Sequence, residues 1–431
     1  MKNIRICLFG NTCNNNFALL RYLDRVGLHA DLALYSDEGL QDKNPNHNPE
    51  LDTHDISQYI DRIHRLDIPH RPLSLLLLSP NFNSKCLRFK HFVDRYDICI
   101  GSGITPSLFK LIGRKLDIFY SHATGVEWLE EPEHLSKSNS RNLIGWLYRS
   151  LTLYQKSALK NNVRKHYVFQ QYDKDVLSRH GIQSSLLNIP TYYPFENLAS
   201  KSLAALVDEY CLPKQLFDSD KFHLFAFMRQ HWVNEYPHTP SSEWALVSKR
   251  NDVLIKAFHA FLHQYEHRDS FLYLTAWGKD VSASHQLIAE LQIESNVVWL
   301  PFLPRKVVVL LLQQVADCAV GQLTCTTGNL WGSTTWECIA HNIPCIQSVS
   351  LSPLHFEAIY GYPLPPLLFP CHTELEIATC LKTIAETLPI SEEVHHKSST
   401  WYELYKGTGP ALTLKSDILE IYTKKSSNCP F

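Results

Sequence analysis

The sequence predicts an α/β protein built as two doubly wound domains in tandem, and three observations predict it. The chain has 431 residues, about twice an ordinary domain, so two domains of roughly 200 residues are expected. Hydrophobic residues make up 45% and aromatic residues 11%, enough apolar material for two cores and too much for a disordered chain. Short apolar runs alternate with longer amphipathic ones twice over, and one irregular stretch separates the two series.

The first series opens with a strand at 4–9, an amphipathic segment at 14–26 and a strand at 31–35. It continues through 97–100, 106–114, 118–120, 155–160, 166–169, 173–180 and 186–189. Strand-length apolar runs joined by helix-length periodic ones are the pattern of parallel strands with crossover helices. Residues 191–221 are less regular, which places the linker there. The rhythm restarts at 222–228 and runs through 252–264, 271–276, 285–291, 297–300, 306–315, 318–320, 334–341 and 344–348. Beyond Pro370 the pattern is mainly helical, and 401–422 is expected to hold terminal helices packed across the domain junction. The expected division is therefore 1–200, 201–400 and a terminal segment 401–431. There is no internal repeat, and the polar 42–55 loop is the one low-complexity segment. Ligands of open α/β sheets bind beyond the carboxyl ends of the strands, so two Rossmann-like domains facing a central cleft would carry function on their strand-to-helix loops.

Lys plus Arg (41) nearly balances Asp plus Glu (43), so no global field draws the chain toward nucleic acid. Twelve cysteines are scattered without a CxxC pair; Cys7, Cys99, Cys318 and Cys345 lie in apolar runs, which suits free buried thiols in a reducing compartment. The N-terminus enters a strand directly, with no secretory signal pattern. The most apolar stretches, 75–78 and 307–312, fall far short of the ~18–20 residues that span a bilayer. A cytoplasmic protein is expected.

The most informative segment is Thr327-Gly-Asn-Leu-Trp-Gly-Ser-Thr-Thr-Trp-Glu-Cys-Ile-Ala-His-Asn-Ile-Pro. A turn leads through Gly332 into a helix opened by Ser333 and Thr334, whose free backbone N–H groups and dipole suit a diphosphate. Glu337, one turn in, is placed to accept both hydroxyls of a ribose, and a turn at 342–344 returns the chain to a strand. An ordinary capped helix with an exposed Glu is the alternative.

This segment resembles the donor domain of family-4-like retaining glycosyltransferases of the GT-B fold, with their run Glu-x-Phe-Gly-x-x-x-x-Glu-Ala-x-Ala-x-Gly-x-Pro. Asn329 stands at the first Glu, Trp331 at the Phe, Gly332 at the Gly and Glu337 at the second Glu; Ala340 and Pro344 are in register, and Asn342 replaces the last Gly. The resemblance implies that Glu337 binds the nucleotide ribose and Asn329 the donor sugar, with a charge lost that the family's Glu supplies. Phe225-Ala-Phe-Met-Arg-Gln-His-Trp resembles the family's strand ending in an Arg, and Ser248-Lys-Arg-Asn-Asp-Val-Leu-Ile-Lys-Ala-Phe its Lys-Gly-x-Asp helix start. Arg229 and Lys249 would then grip the diphosphate and stabilise its growing charge as it leaves, without a metal. Pro301, Phe302 and Leu303 would read the nucleotide base.

In the N-terminal half, Phe9-Gly-Asn-Thr-Cys-Asn-Asn-Asn-Phe is either a plain first strand-to-helix turn, with Asn14 or Asn15 as a cap, or, by the resemblance, a donor-binding loop through Gly10 and Asn11. Tyr120-Ser-His-Ala-Thr-Gly-Val-Glu-Trp resembles the family loop that points a His at the sugar, which makes His122 catalytic and Glu127 acceptor-binding. No cluster has metal-ligand spacing, and no cofactor is expected beyond a nucleotide-diphosphate sugar co-substrate. Basic residues interleave with apolar ones over 141–166; that segment is either an amphipathic helix packed on the sheet or a peripheral contact with the cytosolic face of an anionic bilayer, where lipid-linked acceptors lie. The expected function is transfer of a sugar from a nucleotide sugar to a glycan or lipid-linked acceptor hydroxyl. A nucleotide-sugar epimerase and a non-catalytic sugar-nucleotide-binding protein are the alternatives.

Overall fold

The computed structural model describes residues 4–36, 49, 56–68, 81–121, 126, 129–130, 141–194, 202–233, 248–264, 269–324 and 331–427. The chain divides into two compact units, Met1–Tyr193 with Glu403–Phe431, and Pro194–Tyr402.

In unit 1 the described strands are β1 (Ile6–Phe9), β2 (Ala30–Leu34), β3 (Ile63–Arg65), β4 (Ile98–Gly101), β5 (Leu116–Tyr120), β6 (Val163–Val168) and β7 (Ser185–Leu186). They form one parallel sheet in the order β3-β2-β1-β4-β5-β6-β7. Register pairs Ile6 of β1 with both Ala30 and Ile98, so β1 is central. Its Ile-Cys-Leu-Phe run is buried throughout, as a strand covered on both faces requires. Phe9 anchors one face of the core, edge-on to Phe89, Phe92 and Phe109. The helices α1 (Asn15–Arg25), α2 (Phe82–Val93), α3 (Thr105–Leu111), α4 (Leu143–Asn162) and α5 (Gln171–Arg179) alternate with the strands.

In unit 2, α6 (Leu203–Tyr210) leads to β8 (Phe222–Ala226), α7 (Asn251–Gln264), β9 (Ser270–Thr275), α8 (Val281–Glu290), β10 (Val297–Leu300) and α9 (Arg305–Gln314). Then come β11 (Cys318–Val320), α10 (Ser333–Ala340), β12 (Cys345–Gln347), α11 (Pro353–Tyr360), β13 (Leu368–Pro370) and α12 (Glu374–Thr387). The strand order is β10-β9-β8-β11-β12-β13, and all pairs are parallel. The chain ends in α13 (Glu392–Tyr405) and α14 (Thr408–Ser427); α14 packs on α1 and β4 within unit 1.

Two stretches differ from the sequence expectation. The segment read as a linker contains α6, capped by the Ser202 hydroxyl at Ala205 N and packed against α9. The helix expected at 155–160 is α4, twenty residues long, started by the Asn142 side chain, which accepts from Gly145 N. It buries Leu151, Gln155, Ala158 and Leu159. Its first eleven residues leave Leu143, Ile144, Trp146 and Leu153 exposed, so the helix both packs on the sheet and presents apolar side chains outward. The described cysteines are free, and burial pushes the Cys7, Cys99 and Cys318 thiols up, toward inert packing groups.

Candidate functional site

In each sheet the chain first winds outward to one side of its starting strand and then to the other. The reversal lies between β1 and β4 in unit 1 and between β8 and β11 in unit 2. Ligand sites of such sheets lie at the carboxyl ends of the two strands flanking the reversal.

In unit 2 the chain leaving β8 is locked in place before it reaches the helix. Gln230 donates its N–H to Trp277 O (2.7 Å) and accepts from Asp280 N through its own carbonyl (3.1 Å). The Asp280 carboxylate accepts from the backbone N–H groups of Trp232 (2.6 Å) and Val233 (2.9 Å). The Ser284 hydroxyl bonds Gln230 Oε1 and accepts from the Trp232 indole. Gly278, at φ 124°, has no room for a side chain, because a Cβ there would strike the Gln230 backbone. This latch fixes Arg229, the residue before Gln230.

Arg229 and Lys249 are brought together. Lys249 N donates to His231 O (2.6 Å), and His231 N donates to Asn251 Oδ1 (3.1 Å). Among the described residues neither cation has a carboxylate within ion-pair distance, and Arg229 Nε is buried with no hydrogen-bond partner. Desolvation, and then the nearby Arg229 charge, push the Lys249 ammonium down to about 8. Burial and Arg229 also hold His231 below the usual histidine range. Arg250, at the glycine position of the Lys-Gly-x-Asp run, takes φ 51°, a strained conformation for a side-chain-bearing residue.

A chain of hydrogen bonds links this cation pair to α10. Thr324 Oγ1 donates to Ser248 O (3.1 Å). Two residues earlier, Gln322 N donates to Gln347 Oε1 and Gln322 O accepts from Gln347 Nε2, both at 2.8 Å. Gln347 Oε1 also accepts from Thr335 Oγ1 (2.8 Å) in the first turn of α10. Gly321 permits this close approach, since a Cβ there would collide with Thr335 and Gln347. The helix starts at Ser333 with Gly332 as its N-cap and no side-chain cap, leaving the first-turn amides of Ser333 and Thr334 in need of partners. Trp331, half-buried beside them and stacked on Phe356 (5.6 Å), keeps its indole Nε1 buried without a hydrogen-bond partner among the described residues.

Glu337 is buried, not exposed, and its Oε1 accepts from Arg305 Nε at 2.5 Å; the two side chains are 3% and 7% exposed. Burial overturns the alternative of an ordinary capped helix with an exposed Glu, and the carboxylate to which the resemblance assigns the ribose carries a guanidinium partner on Oε1. Asn342 takes φ 61° at the end of α10, which explains why Asn can stand where the family has Gly: both tolerate the left-handed region. Pro301 and Phe302 are exposed and Leu303 buried after β10; the Phe302 ring meets the exposed Trp277 ring at 4.7 Å.

In unit 1, Gly10 and Asn11 begin the turn after β1. Gly10, Cys13 and Asn14 have φ of 82°, 53° and 55°, and Asn11, Asn14 and Asn16 are fully buried. Asn14 is the N-cap of α1 but makes no side-chain cap bond; its Oδ1 accepts from Asn11 Nδ2 (2.6 Å) instead. Asn16 Nδ2 donates to Gly10 O (2.6 Å) and Phe9 O (3.1 Å), and Tyr120 OH donates to Asn16 Oδ1 (2.7 Å). His122, Glu127 and Asn329 lie outside the described residues. Sequence reasoning missed Arg305, Asp280, Ser284, Gln347 and Trp277. One local signal pointed to Arg305: a cation at the first position of a helix opposes the helix dipole unless a partner fixes it.

No protein-family profile and no curated protein matches the chain. Among solved structures, HepE (Alr3699) of Anabaena in complex with UDP-glucose aligns over 98% of this chain and 100% of its own, with a TM-score of 0.60 at 14% identity. WaaG, a glycosyltransferase involved in lipopolysaccharide biosynthesis, aligns over 95% of this chain and 99% of its own (TM-score 0.54, 14% identity). A glycosyltransferase from Rickettsia africae aligns over the full length of both chains (TM-score 0.53, 12% identity). The fold of this chain is the GT-B type that these structures share.

Proposed function

We propose that the chain is a glycosyltransferase that takes a nucleoside-diphosphate sugar and passes the sugar to an acceptor hydroxyl. The observation that carries this reading is the Arg229–Lys249 pair: two adjacent cations, neither with a carboxylate partner among the described residues, held rigidly at the switch point of unit 2. Uncompensated, partly desolvated positive charge is costly to a fold unless an anion completes it. The uncapped start of α10 adds neutral donors on the same network. HepE, of like fold, binds UDP and UDP-glucose, which supports a nucleotide-sugar donor.

In this reading Arg229 and Lys249 hold the diphosphate and stabilise the charge it gains as the glycosidic phosphate bond breaks. The two cations supply the charge that a metal supplies in other transferases, so activity is expected to survive chelation. Asn329, Gly332, Ser333 and Thr334 are assigned to the donor, with Pro301, Phe302 and Leu303 at its base. Gly10 and Asn11 are assigned to the donor as well, while His122 and Glu127 are assigned to the reacting centre and the acceptor. Attack from the face the diphosphate leaves, with the departing phosphate taking the acceptor proton, retains the anomeric configuration and requires no protein base. The exposed Leu143, Ile144, Trp146 and Leu153 of α4, among basic residues of 141–166, fit a peripheral contact with an anionic membrane carrying a lipid-linked acceptor.

Radiolabelled nucleotide sugars incubated with the protein and a panel of glycan and lipid-linked acceptors test the proposal. A labelled, acceptor-dependent product is expected, and it should still form in EDTA. Isomerised donor without any acceptor would make the protein an epimerase, and tight binding without turnover would make it a binding protein.

A further inference from the structure

Unit 1 holds a cavity of about 700 Å³ at the opposite end of its sheet from the Gly10–Asn14 turn. It is lined by Arg164 and Lys165 at the start of β6, by Lys174 and Ser178 of α5, and by Ser184 and Ser185 entering β7. The strand pattern opens it: β7 pairs only with Tyr167 and Val168, so the first residues of β6 have no strand neighbour on that edge among the described residues.

Its charge is one-sided. Lys165 Nζ binds Asp417 (2.5 Å) and Arg164 Nε binds Asp117 (3.1 Å), and both cations keep more than a third of their side chains exposed. Lys174 has no carboxylate within ion-pair distance among the described residues, and Lys160 Nζ reaches the rim, 3.4 Å from where a side chain at Gly181 would begin. Asp117 is itself shared with Lys425. Glu420, paired with Lys424, also lies in electrostatic reach of Lys165, and four cations against three already engaged carboxylates leave a net positive site. Ser178, Ser184 and Ser185 bring hydroxyl-bearing side chains to the same lining.

Lysine and arginine donors beside serine hydroxyls suit the several oxygens of a phosphate group. An apolar ligand would desolvate the cations, and a cation would be repelled. A lone phosphate fills little of a cavity this size, which lies in the range of small-molecule sites. We infer that this cavity is a second anion site, which takes a phosphate group carried on a larger polar body. The phosphate has two sources, a soluble phosphate ester or an anionic lipid headgroup, and the two share the same recognition chemistry.

The test uses the full chain carrying Arg229→Ala and Lys249→Ala, which removes the cation pair of unit 2 and leaves unit 1 untouched. Calorimetric titration with inorganic pyrophosphate is expected to show binding that persists in this background. Adding Lys174→Glu should weaken it about tenfold or more, the loss expected when a charge-assisted hydrogen bond is removed, and Lys160→Glu should weaken it as well. Sedimentation with phosphatidylglycerol and with phosphatidylcholine vesicles separates the sources. Binding to the anionic vesicles that Lys174→Glu abolishes assigns the site to a lipid headgroup; pyrophosphate binding without it assigns a soluble ester. No binding of either probe in the Arg229→Ala, Lys249→Ala background, or binding indifferent to both lysine reversals, overturns the inference. Pyrophosphate binding that the double alanine variant abolishes entirely would refute this site while leaving the reading of unit 2 standing.

Discussion

Where β1 runs into α1 and where β8 leaves its sheet, the two units solve the same geometric problem with different chemistry. Both turns sit at the reversal of a doubly wound sheet, and both hold residues other than glycine at positive φ: Cys13 and Asn14 in unit 1, Arg250 in unit 2. In unit 1 the polar groups are asparagine amides, buried and bonded to the backbone and to Tyr120. In unit 2 they are cations whose local carboxylate, Asp280, is spent on backbone N–H groups instead. An amide network fixes a backbone and offers directional hydrogen bonds without a field; adjacent cations create a field that only an anion relieves. The same topology thus carries a buried, neutral amide network in one unit and a pair of cations without a carboxylate partner among the described residues in the other.

Within unit 2 a second contrast sharpens the first, because Arg305 is the matched counterpart of Arg229. Removing one member of a buried ion pair strands the other charge, so Arg305→Met should cost about 3–5 kcal/mol of stability. Urea unfolding measures it. Replacing both members, as Arg305→Met with Glu337→Leu, should recover most of the loss, since a hydrophobic pair needs no compensation. A stable single variant would mean that Glu337 is held by something other than Arg305.

The unmatched cations should behave in the reverse way. Arg229→Ala or Lys249→Ala is expected to slow transfer about 100-fold or more, the loss typical of a preorganised donor to developing charge. The ligand-free fold should hold or gain stability, because a poorly solvated charge is gone. Steady-state transfer and thermal unfolding of the same samples give both readouts. Near-wild-type turnover in both variants would reduce the pair to surface cations.

For unit 1 the expectation is structural and smaller. Asn16→Ala removes the side-chain donor to the buried Gly10 carbonyl, at about 1–3 kcal/mol. If the amide network only supports the turn, nucleoside diphosphate affinity in unit 2 stays unchanged while the melting temperature falls.

Much of this contrast was legible in the sequence, and the part that was not has a common cause. The strand-helix rhythm places Arg229, Lys249 and Gly332 on loops at strand ends, since apolar runs such as Ile-Cys-Leu-Phe announce buried parallel strands. The Asn342 turn was legible because few residues tolerate positive φ. What escaped were pairings across distance: Arg305 with Glu337, Asp280 with Trp232, Gln347 with Gln322 and Thr335. Each joins segments distant in sequence and brought together by the sheet order, and no local periodicity encodes that. α6 escaped for another reason, as eight residues carry too little periodicity to separate a short helix from an irregular linker.

The smallest expected effect is also the most specific to the cation pair, and it is read in pH. Lys249 is held at about 8 in the ligand-free protein, first by desolvation and then by Arg229, whereas in the unfolded chain it returns to the ordinary lysine value near 10.4. Between those values the unfolded chain binds more protons than the folded one, so the contribution of this group to ligand-free stability rises with pH across that window. Below about 8 the penalty is present in full. A diphosphate has the opposite preference: it favours the charged ammonium, takes up part of a proton when it binds above pH 8, and loses affinity as the lysine deprotonates. Affinity for the cognate nucleoside diphosphate should therefore fall by up to about tenfold between pH 7 and pH 9, as the charged fraction drops. Lys249→Arg, whose guanidinium stays charged across this range, should flatten that dependence while keeping the charge. A general alkaline loosening of the fold would lower stability and affinity together, and would do so in both proteins. Opposite trends in the native protein, with a flat affinity profile in Lys249→Arg, are the outcome that assigns the charge to this one ammonium; parallel declines in both would remove Lys249 from the anion site.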